Sequence, residues 1–299
     1  MKLIGEYQNG NFNTRIYDDG TKIRQTDDNE FIPEFPECMD VKITNYCNIG
    51  CAWCHEDSTV HGQHGDILQQ NLLDSIHPYT EIAIGGGNPL SHPDLVEFLQ
   101  MLKDRNVIAN MTVNQVHFME SIELLKSLCD QKLIHGLGVS FVSFSDDFLN
   151  NLKLFPNAVL HVINGVIKLK ELEKLYNHKL KLLILGYKMF RRGMNFYSAR
   201  VEENSTEIKN NILTIIENFQ TTSFDNLAID QLHIKEIMSK KDWQTFYMGD
   251  DGEFTFYIDL VSQSFSKSSF SKIAYPLYSS VVDMFEKIKS VDKNKFFLW

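Results

Sequence analysis

The sequence has no long hydrophobic run: nowhere do apolar residues approach the ~18 to 20 in succession that a membrane-spanning helix needs. The amino-terminal residues Met1 to Glu6 turn polar too soon for a secretory signal. No internal repeat, low-complexity tract or linker rich in Pro, Gly or Ser divides the 299 residues. These absences predict a cytoplasmic globular protein without a membrane partner.

Basic residues are in deficit, with 29 Lys and Arg against 39 Asp and Glu, which gives a formal net charge of −10. This balance argues against large nucleic acids and anionic membranes as partners, although a local basic pocket is compatible with it. Cysteine is scarce as well, because five residues are too few, and odd in number, for a disulfide scaffold. Three of the five lie within eight residues, so their clustering is the informative feature.

The first 37 residues differ from the rest of the chain. Asn9-Gly10 and Asp19-Gly20 separate short runs rich in β-forming residues, which is typical of hairpin turns. We therefore predict a small β extension over residues 1–37.

From about residue 38, short apolar runs alternate with amphipathic ones. The apolar runs are rich in Val, Ile and Leu, as in strands buried within a parallel sheet. Six of them are found, at residues 41–43, 82–84, 107–113, 137–142, 159–163 and 180–185. Between the second and third, Ser91 is a candidate N-cap for a helix that continues through Leu95, Leu99 and Leu102. A strand–helix unit repeated six times predicts a parallel α/β core over residues 38–220, as a six-unit partial barrel or an open doubly wound sheet.

The alternation decays after about residue 221. A turn is predicted at 249–253, a strand at 254–259 and a helix around 281–288. We expect residues 221–299 to form an α+β extension that covers one opening of the core.

The cysteine cluster has the spacing C-x3-C-x2-C, formed by Cys47, Cys51 and Cys54. Thiolates this close in sequence can converge on one metal centre, and these follow the first predicted strand, at the sheet edge where parallel folds place their chemistry. A zinc site completed by Cys38 or His55 is the alternative, although structural zinc sites more often use paired C-x2-C units.

This motif resembles that of the radical S-adenosylmethionine (AdoMet, SAM) superfamily, in which an aromatic residue often precedes the last cysteine, as Trp53 does here. The resemblance implies a partial (β/α)6 TIM-type barrel and a 4Fe–4S cluster on the three cysteines. One iron would then be left for AdoMet. The reduced cluster would cleave AdoMet to methionine and a 5′-deoxyadenosyl radical, which abstracts hydrogen from a substrate. It further implies oxygen sensitivity and an electron donor such as a flavodoxin or ferredoxin.

A second motif follows the second strand: Gly86-Gly87-Asn88-Pro89 resembles the family's Gly-Gly-Glu-Pro segment, which contacts the amino group of AdoMet. Glycine allows the backbone to approach a ligand closely. Asn88 replaces the usual Glu, which removes a charge and keeps a side-chain acceptor.

Polar residues near the ends of later strands are further candidates for the site. By resemblance, Trp53 and four strand-end positions would contact AdoMet, together with a lysine that follows the sixth strand. These positions are Asn114, Ser140, Asn164, Leu185 and Lys188. Candidates for substrate binding are His55, Thr112, Arg191 and Arg192, the last two as contacts for an anionic group.

The remaining sequence limits the subfamily. Only Cys129 lies downstream of the cluster motif, and 37 residues precede the core, so we expect neither a C-terminal auxiliary-cluster domain nor a cobalamin domain. A single-cluster enzyme acting on a small metabolite, nucleoside or peptide is therefore predicted. Two alternatives stay open: an activase of a glycyl-radical enzyme, since activases often have a histidine after the last cysteine, and a non-catalytic iron–sulfur or zinc-binding interaction protein.

Overall fold

The computed structural model describes residues 1–290, and its smaller sheet lies at the amino terminus. This antiparallel sheet has the order β1-β2-β3 and comprises β1 (Leu3–Asn9), β2 (Phe12–Tyr17) and β3 (Lys22–Gln25). Gly10 adopts φ +58° in the first turn, and a Cβ there would lie 1.9 Å from the carbonyl oxygen of Ile32. Only glycine meets both conditions, so the Asn-Gly signal marks a real hairpin.

The larger sheet has ten strands in the order β10-β9-β8-β7-β6-β5-β4-β11-β12-β13. Its strands are β4 (Cys38–Thr44), β5 (Glu81–Gly86), β6 (Ile108–Asn114), β7 (Gly136–Ser140), β8 (Ala158–Ile163), β9 (Lys181–Leu185), β10 (Thr221–Phe224), β11 (Thr255–Asp259), β12 (Ser264–Ser266) and β13 (Tyr275–Pro276). All six predicted strands are present as β4 to β9, but β7 ends at Ser140, before the predicted end at Val142.

Helices connect the strands of this sheet. They are α1 (Gln70–Asp74), α2 (Leu95–Asp104), α3 (Gln115–Glu120), α4 (Ile122–Asp130), α5 (Asp146–Leu152), α6 (Leu169–Glu173), α7 (Arg192–Phe196), α8 (Ala199–Asn210), α9 (Ile212–Asn218), α10 (Asn226–Leu232), α11 (Ile234–Ile237), α12 (Lys240–Phe246) and α13 (Val281–Lys289). The prediction that Ser91 caps α2 is wrong. Ser91 belongs to a 3₁₀ helix (Pro89–Ser91), and Asp94 occupies the cap position of α2. No helix among residues 1–290 is long and apolar enough to cross a membrane.

The strand order decides between the two predicted architectures. Strands β4 to β9 are parallel, and each pairs with the next strand in the chain. A doubly wound sheet would reverse its order at a switch point, whereas a barrel keeps sequential order. The fold is therefore of the partial TIM-barrel type, and over the described residues the sheet stays open, with β10 and β13 at its edges.

Side-chain alternation gives the sheet an apolar face and a polar face. The hydrophobic core includes Val41 and Ile43 on β4, and Met111 and Val113 on β6. The intervening residues, such as Lys42, point to the opposite side, as the period of two requires. We call this polar, inward side of the curved sheet the lumen.

The sheet continues beyond residue 220, where the predicted core ends. β10 pairs in parallel with β9, and β11 pairs in parallel with β4. The part of the predicted extension that the structure describes thus adds one strand, β10, beside β9, and three strands, β11 to β13, on the side of β4. The predicted C-terminal helix is present as α13, while residues 291–299 lie outside the described range.

The amino-terminal sheet packs against the amino ends of the parallel strands. Lys22 on β3 forms a 2.6 Å ion pair with Glu81, the first residue of β5. The buried Glu37, which directly precedes β4, accepts hydrogen bonds from the hydroxyl of Tyr7 and the guanidinium of Arg24. The opposite, carboxyl end of the strands carries the loops that contain the predicted site.

Candidate active site

The three clustered cysteines lie on the segment that follows β4, which we call the cysteine loop (residues 45–64). Their thiols are free and half-buried. Burial raises the pKa of the Cys51 thiol, and the neighbouring Cys54 and Cys47 raise it further, so the three sulfurs are close enough to interact.

The donor set fits an iron–sulfur cluster better than a single ion. Among the described residues, no three side chains from His, Cys, Asp and Glu converge on one metal-ion position. Ligands of a multi-iron cluster need not converge, because each sulfur binds a different iron, whereas a structural zinc site requires four ligands around one ion. Three cysteine thiolates on one loop therefore suit a cluster, in which each can bind a separate iron.

The glycine-rich segment after β5 is bonded directly to the start of the cysteine loop. The Gly87 amide donates to the carbonyl of Thr44, and the Asn88 amide donates to that of Tyr46, both at 2.7 Å. A Cβ on Gly87 would lie 2.1 Å from the Tyr46 oxygen, and Gly86 adopts φ +112°. Glycine at both positions therefore allows the two segments to lie side by side.

Asn88 and Pro89 begin the 3₁₀ helix. The side chain of Asn88 accepts a hydrogen bond from the Leu90 amide at 3.2 Å, and Pro89 occupies the first helical position. The acceptor that Asn88 retains in place of a carboxylate is thus already used as a helix cap.

Three of the predicted strand-end residues, Thr112, Asn114 and Ser140, are half-buried on the lumen side. Asn114 and Ser140 are paired across β6 and β7. Asn114 also caps α3, because its side-chain oxygen accepts from the Val116 amide at 2.9 Å. The structure therefore brings these residues to the carboxyl end of the sheet, near one another.

Asn164 and Leu185 are placed differently. Asn164 is 1% exposed, and its amide nitrogen donates to Ser205 and Gln231 at 2.9 and 3.0 Å. Its backbone amide donates to the carbonyl of Leu185, so that carbonyl is also occupied. These contacts place Asn164 inside the fold, between β8 and the helices α8 and α10.

Lys188, which follows β9, connects the cysteine loop to the C-terminal region. Its ammonium donates to the Ser269 hydroxyl at 2.8 Å and lies 3.3 Å from the Nε2 atom of His55. Burial, together with the charge of Lys188, lowers the pKa of His55 and favours the neutral imidazole.

Arg191 and Arg192, predicted as contacts for an anionic ligand, bind the backbone of the cysteine loop instead. Arg191 donates to the carbonyl of Glu56 at 2.7 Å, and Arg192 donates to that of Cys51 at 3.0 Å. The ring of Trp53 contacts Phe196 of α7, with centroids 5.4 Å apart. The segment after β9 is therefore packed onto the cysteine loop.

A buried ionic network was missed by the sequence analysis. Lys42 is 3% exposed on the lumen side of β4, and its ammonium lies 2.8 Å from Glu56 and 3.3 Å from Asp259. The hydroxyl of Tyr257 on β11 also donates to Glu56 at 3.1 Å. The available signal was a lysine between Val41 and Ile43 in a predicted buried strand, since a lysine is costly to bury unless it is paired.

His161 is a second residue that sequence reasoning missed. It lies on the lumen side of β8, and burial lowers the pKa of its imidazole to about 4. Gly138 on β7 makes room for it, because a Cβ there would lie 2.4 Å from the His161 ring and 2.6 Å from the Thr112 hydroxyl. A histidine in the middle of an apolar strand was the signal.

Comparison with known families gives a match to the radical SAM superfamily over residues 41–186. A curated relative is the probable GTP 3′,8-cyclase of Pyrococcus horikoshii, 25% identical over 153 residues, which are 49% of this chain and 46% of that protein. The alignment thus spans about half the length of that relative.

Solved structures show the same fold at low sequence identity. Streptococcus suis SuiB bound to the precursor peptide SuiA matches with a TM-score of 0.53 and 14% identity, over 79% of this chain and 60% of SuiB. Native anSMEcpe with bound AdoMet matches with a TM-score of 0.55 and 13% identity, over 87% of this chain and 83% of that one. These matches support the partial-barrel architecture.

Proposed function

Because the chain is a member of the radical SAM superfamily, with the family match over residues 41–186, we propose that it is an enzyme that cleaves AdoMet reductively. Cys47, Cys51 and Cys54 would hold a 4Fe–4S cluster. When bound, the cluster supplies one electron to the AdoMet sulfonium, which yields methionine and a 5′-deoxyadenosyl radical for hydrogen abstraction from a substrate.

The observation that carries this proposal is the pair of hydrogen bonds between Thr44–Tyr46 and Gly87–Asn88. These bonds hold the glycine-rich segment against the start of the cysteine loop. A Cβ on the adjacent Gly85 would meet no atom within 4 Å, so the backbone is open to a ligand next to that contact. A ligand of the cluster could therefore lie against this backbone, as reductive cleavage of AdoMet requires.

We assign further binding roles to side chains that lie in the lumen or at the carboxyl ends of the strands. Thr112, Asn114 and Ser140 would bind the ribose or carboxylate of AdoMet from the lumen side. Lys188 and His55 would lie at the boundary with the C-terminal region, which we propose covers the site. The neutral imidazole of His161 would donate or accept a hydrogen bond within the lumen without adding charge.

The partners of this reaction are proposed on chemical grounds. A one-electron donor such as a flavodoxin or ferredoxin would reduce the cluster, in the reducing cytoplasm. The substrate would be a small metabolite, nucleoside or peptide, classes that include the nucleotide named for the Pyrococcus relative and the peptide bound to SuiB.

Anaerobic reconstitution tests the proposal. After reconstitution and reduction with dithionite, the protein is expected to bind about four iron and four sulfide per chain and to form 5′-deoxyadenosine from AdoMet. Cys51→Ala should abolish both cluster and product. Cys129→Ala, a control at a half-buried cysteine on α4 away from the loop, should preserve both. Product from Cys51→Ala equal to that of the unaltered protein would refute the proposal.

A further inference from the structure

Two consecutive arginines after β9 hold the carboxyl half of the cysteine loop. Arg192 donates to the Cys51 carbonyl at 3.0 Å and to the Ser58 carbonyl, and its Nε atom lies 2.8 Å from a carboxylate oxygen of Asp57. Arg191 donates to the Glu56 carbonyl at 2.7 Å. Two guanidinium groups thus bind three backbone carbonyls within eight residues of one loop.

The backbone that presents these arginines is strained and closely packed. Arg191 adopts φ +50°, a conformation that non-glycine residues rarely adopt and that persists only where surrounding contacts enforce it. The next residue after the pair must be glycine, because a Cβ on Gly193 would lie 2.2 Å from the Lys188 carbonyl oxygen. The Tyr187 hydroxyl donates to the Gly193 carbonyl at 2.7 Å, and this hydrogen bond stabilises the turn.

One of the three contacted carbonyls belongs to a residue that would bind the cluster, and the other two lie a few residues further along the same loop. Cys51 is one of the three candidate ligands. Glu56 and Ser58 follow another candidate ligand, Cys54, by two and four residues. The side chain of Glu56 is held independently by Lys42, at 2.8 Å. Arginine suits this position because its planar group presents several donors in a fixed geometry, which lysine does not.

We propose that Arg192, supported by Arg191, is a positioning residue that fixes the cysteine loop around the iron–sulfur cluster and raises the reduction potential of that cluster. This inference rests on the proposed function, since it presupposes a cluster on Cys47, Cys51 and Cys54. The Arg192 guanidinium offsets the charge of the Asp57 carboxylate on the cysteine loop. Without it, that carboxylate would be left unpaired and would destabilise the reduced cluster, which carries one more negative charge. Hydrogen bonds to a ligand's backbone restrict the loop and retain the metal.

Three variants test separately whether Arg192 fixes the cysteine loop and whether it raises the reduction potential of the cluster. Arg192→Gln removes the charge and the forked donor, whereas Arg192→Lys keeps the charge but cannot reproduce the fork that reaches both carbonyls. Arg200→Gln is the matched control, because Arg200 is an exposed arginine on α8, outside the segment that holds the cysteine loop. The readouts are the rate of cluster loss to a chelator, the midpoint potential from an EPR-monitored redox titration, and the far-UV circular dichroism.

We expect Arg192→Gln to lose its cluster about tenfold faster than the unaltered protein, because loss of an outer-shell partner typically lowers metal affinity by about 10- to 100-fold. Its midpoint potential should be more negative, with an unchanged dichroism spectrum. Arg192→Lys should retain the potential and still lose the cluster faster, and Arg200→Gln should match the unaltered protein.

Two results would overturn the inference alone. One is a folded Arg192→Gln with an unaltered midpoint potential and rate of cluster loss. The other applies if Arg192→Gln does not fold: an unaltered rate of cluster loss in Arg192→Lys would then overturn the inference. Failure of the unaltered protein to bind any 4Fe–4S cluster would overturn the proposed function and this inference together.

Discussion

Substitution of Gly87 by alanine would separate the cysteine loop from the glycine-rich segment. The added Cβ would lie 2.1 Å from the Tyr46 carbonyl oxygen and 2.7 Å from its carbonyl carbon. Both atoms belong to the backbone, so no side-chain rotation relieves the clash. The segments must move apart, which lengthens the two 2.7 Å hydrogen bonds that Gly87 and Asn88 donate to Thr44 and Tyr46.

The cost can be worked from these contacts. Each intramolecular hydrogen bond contributes about 0.5 to 1.5 kcal/mol, so loss of two costs about 1 to 3 kcal/mol. Overpacking of a tight contact adds about 1 to 3 kcal/mol. Gly87→Ala should therefore lower the free energy of unfolding by about 2 to 6 kcal/mol. The displaced loop should also bind iron poorly.

Gly85→Ala is the matched control two residues earlier, because its Cβ would meet no atom within 4 Å. The same chemical change there should alter the free energy of unfolding by less than about 1 kcal/mol, the usual effect of Gly→Ala on the unfolded chain. Urea unfolding of both proteins before reconstitution measures the difference, and iron analysis afterwards measures binding. If Gly87→Ala is as stable as Gly85→Ala and binds as much iron, the close contact does not hold the loop.

Three further predictions concern residues around the site. Lys42→Met leaves Glu56 and Asp259 without their buried cation and should cost about 3 to 5 kcal/mol in urea unfolding, less when combined with Glu56→Gln. Asn114→Ala removes a helix cap and should cost about 1 kcal/mol by the same measurement, whereas Asn114→Ser, which keeps a capping oxygen, should be near neutral. Burial lowers the pKa of His161 from 6.5 to about 4, so the unfolded chain takes up this proton at higher pH than the folded one. The stability present above pH 6.5 is therefore lost as the pH falls towards 4, by up to about 2 kcal/mol at pH 5, and His161→Gln should remove this part of the pH dependence.

The strands and the cysteine motif were predictable because each depends on residues close in sequence. The six apolar runs that became β4 to β9 show strand composition within single windows of the chain. The C-x3-C-x2-C spacing and the Gly86–Pro89 segment are likewise local. Their contact with each other, through Thr44 and Tyr46, follows once two neighbouring parallel strands place both loops at one edge.

The residues that organise the site were less predictable because their partners are remote. Arg192 and Cys51 are 141 positions apart, and Tyr257 and Glu56 are 201 positions apart. A pair of arginines after a strand has the same local signal whether it binds a ligand anion or a backbone carbonyl. The assignment of Arg191 and Arg192 to an anionic ligand was reasonable from charge, and only the tertiary contacts distinguish the two roles.

The same contacts show how strongly the sheet curves. β9 lies five strands from β4 in the sheet, so in a flat sheet their ends would be about 24 Å apart. Arg192, seven residues after β9, nevertheless lies 3.0 Å from the carbonyl of Cys51, seven residues after β4. Loops could extend across such a gap, but the segment after β9 is folded back on itself, because the Tyr187 hydroxyl donates to the Gly193 carbonyl. Curvature of the sheet must therefore bring the two ends together, which a doubly wound sheet with helices on both faces would not do. The arginine contacts on the cysteine loop are thus a consequence of the barrel order of β4 to β9.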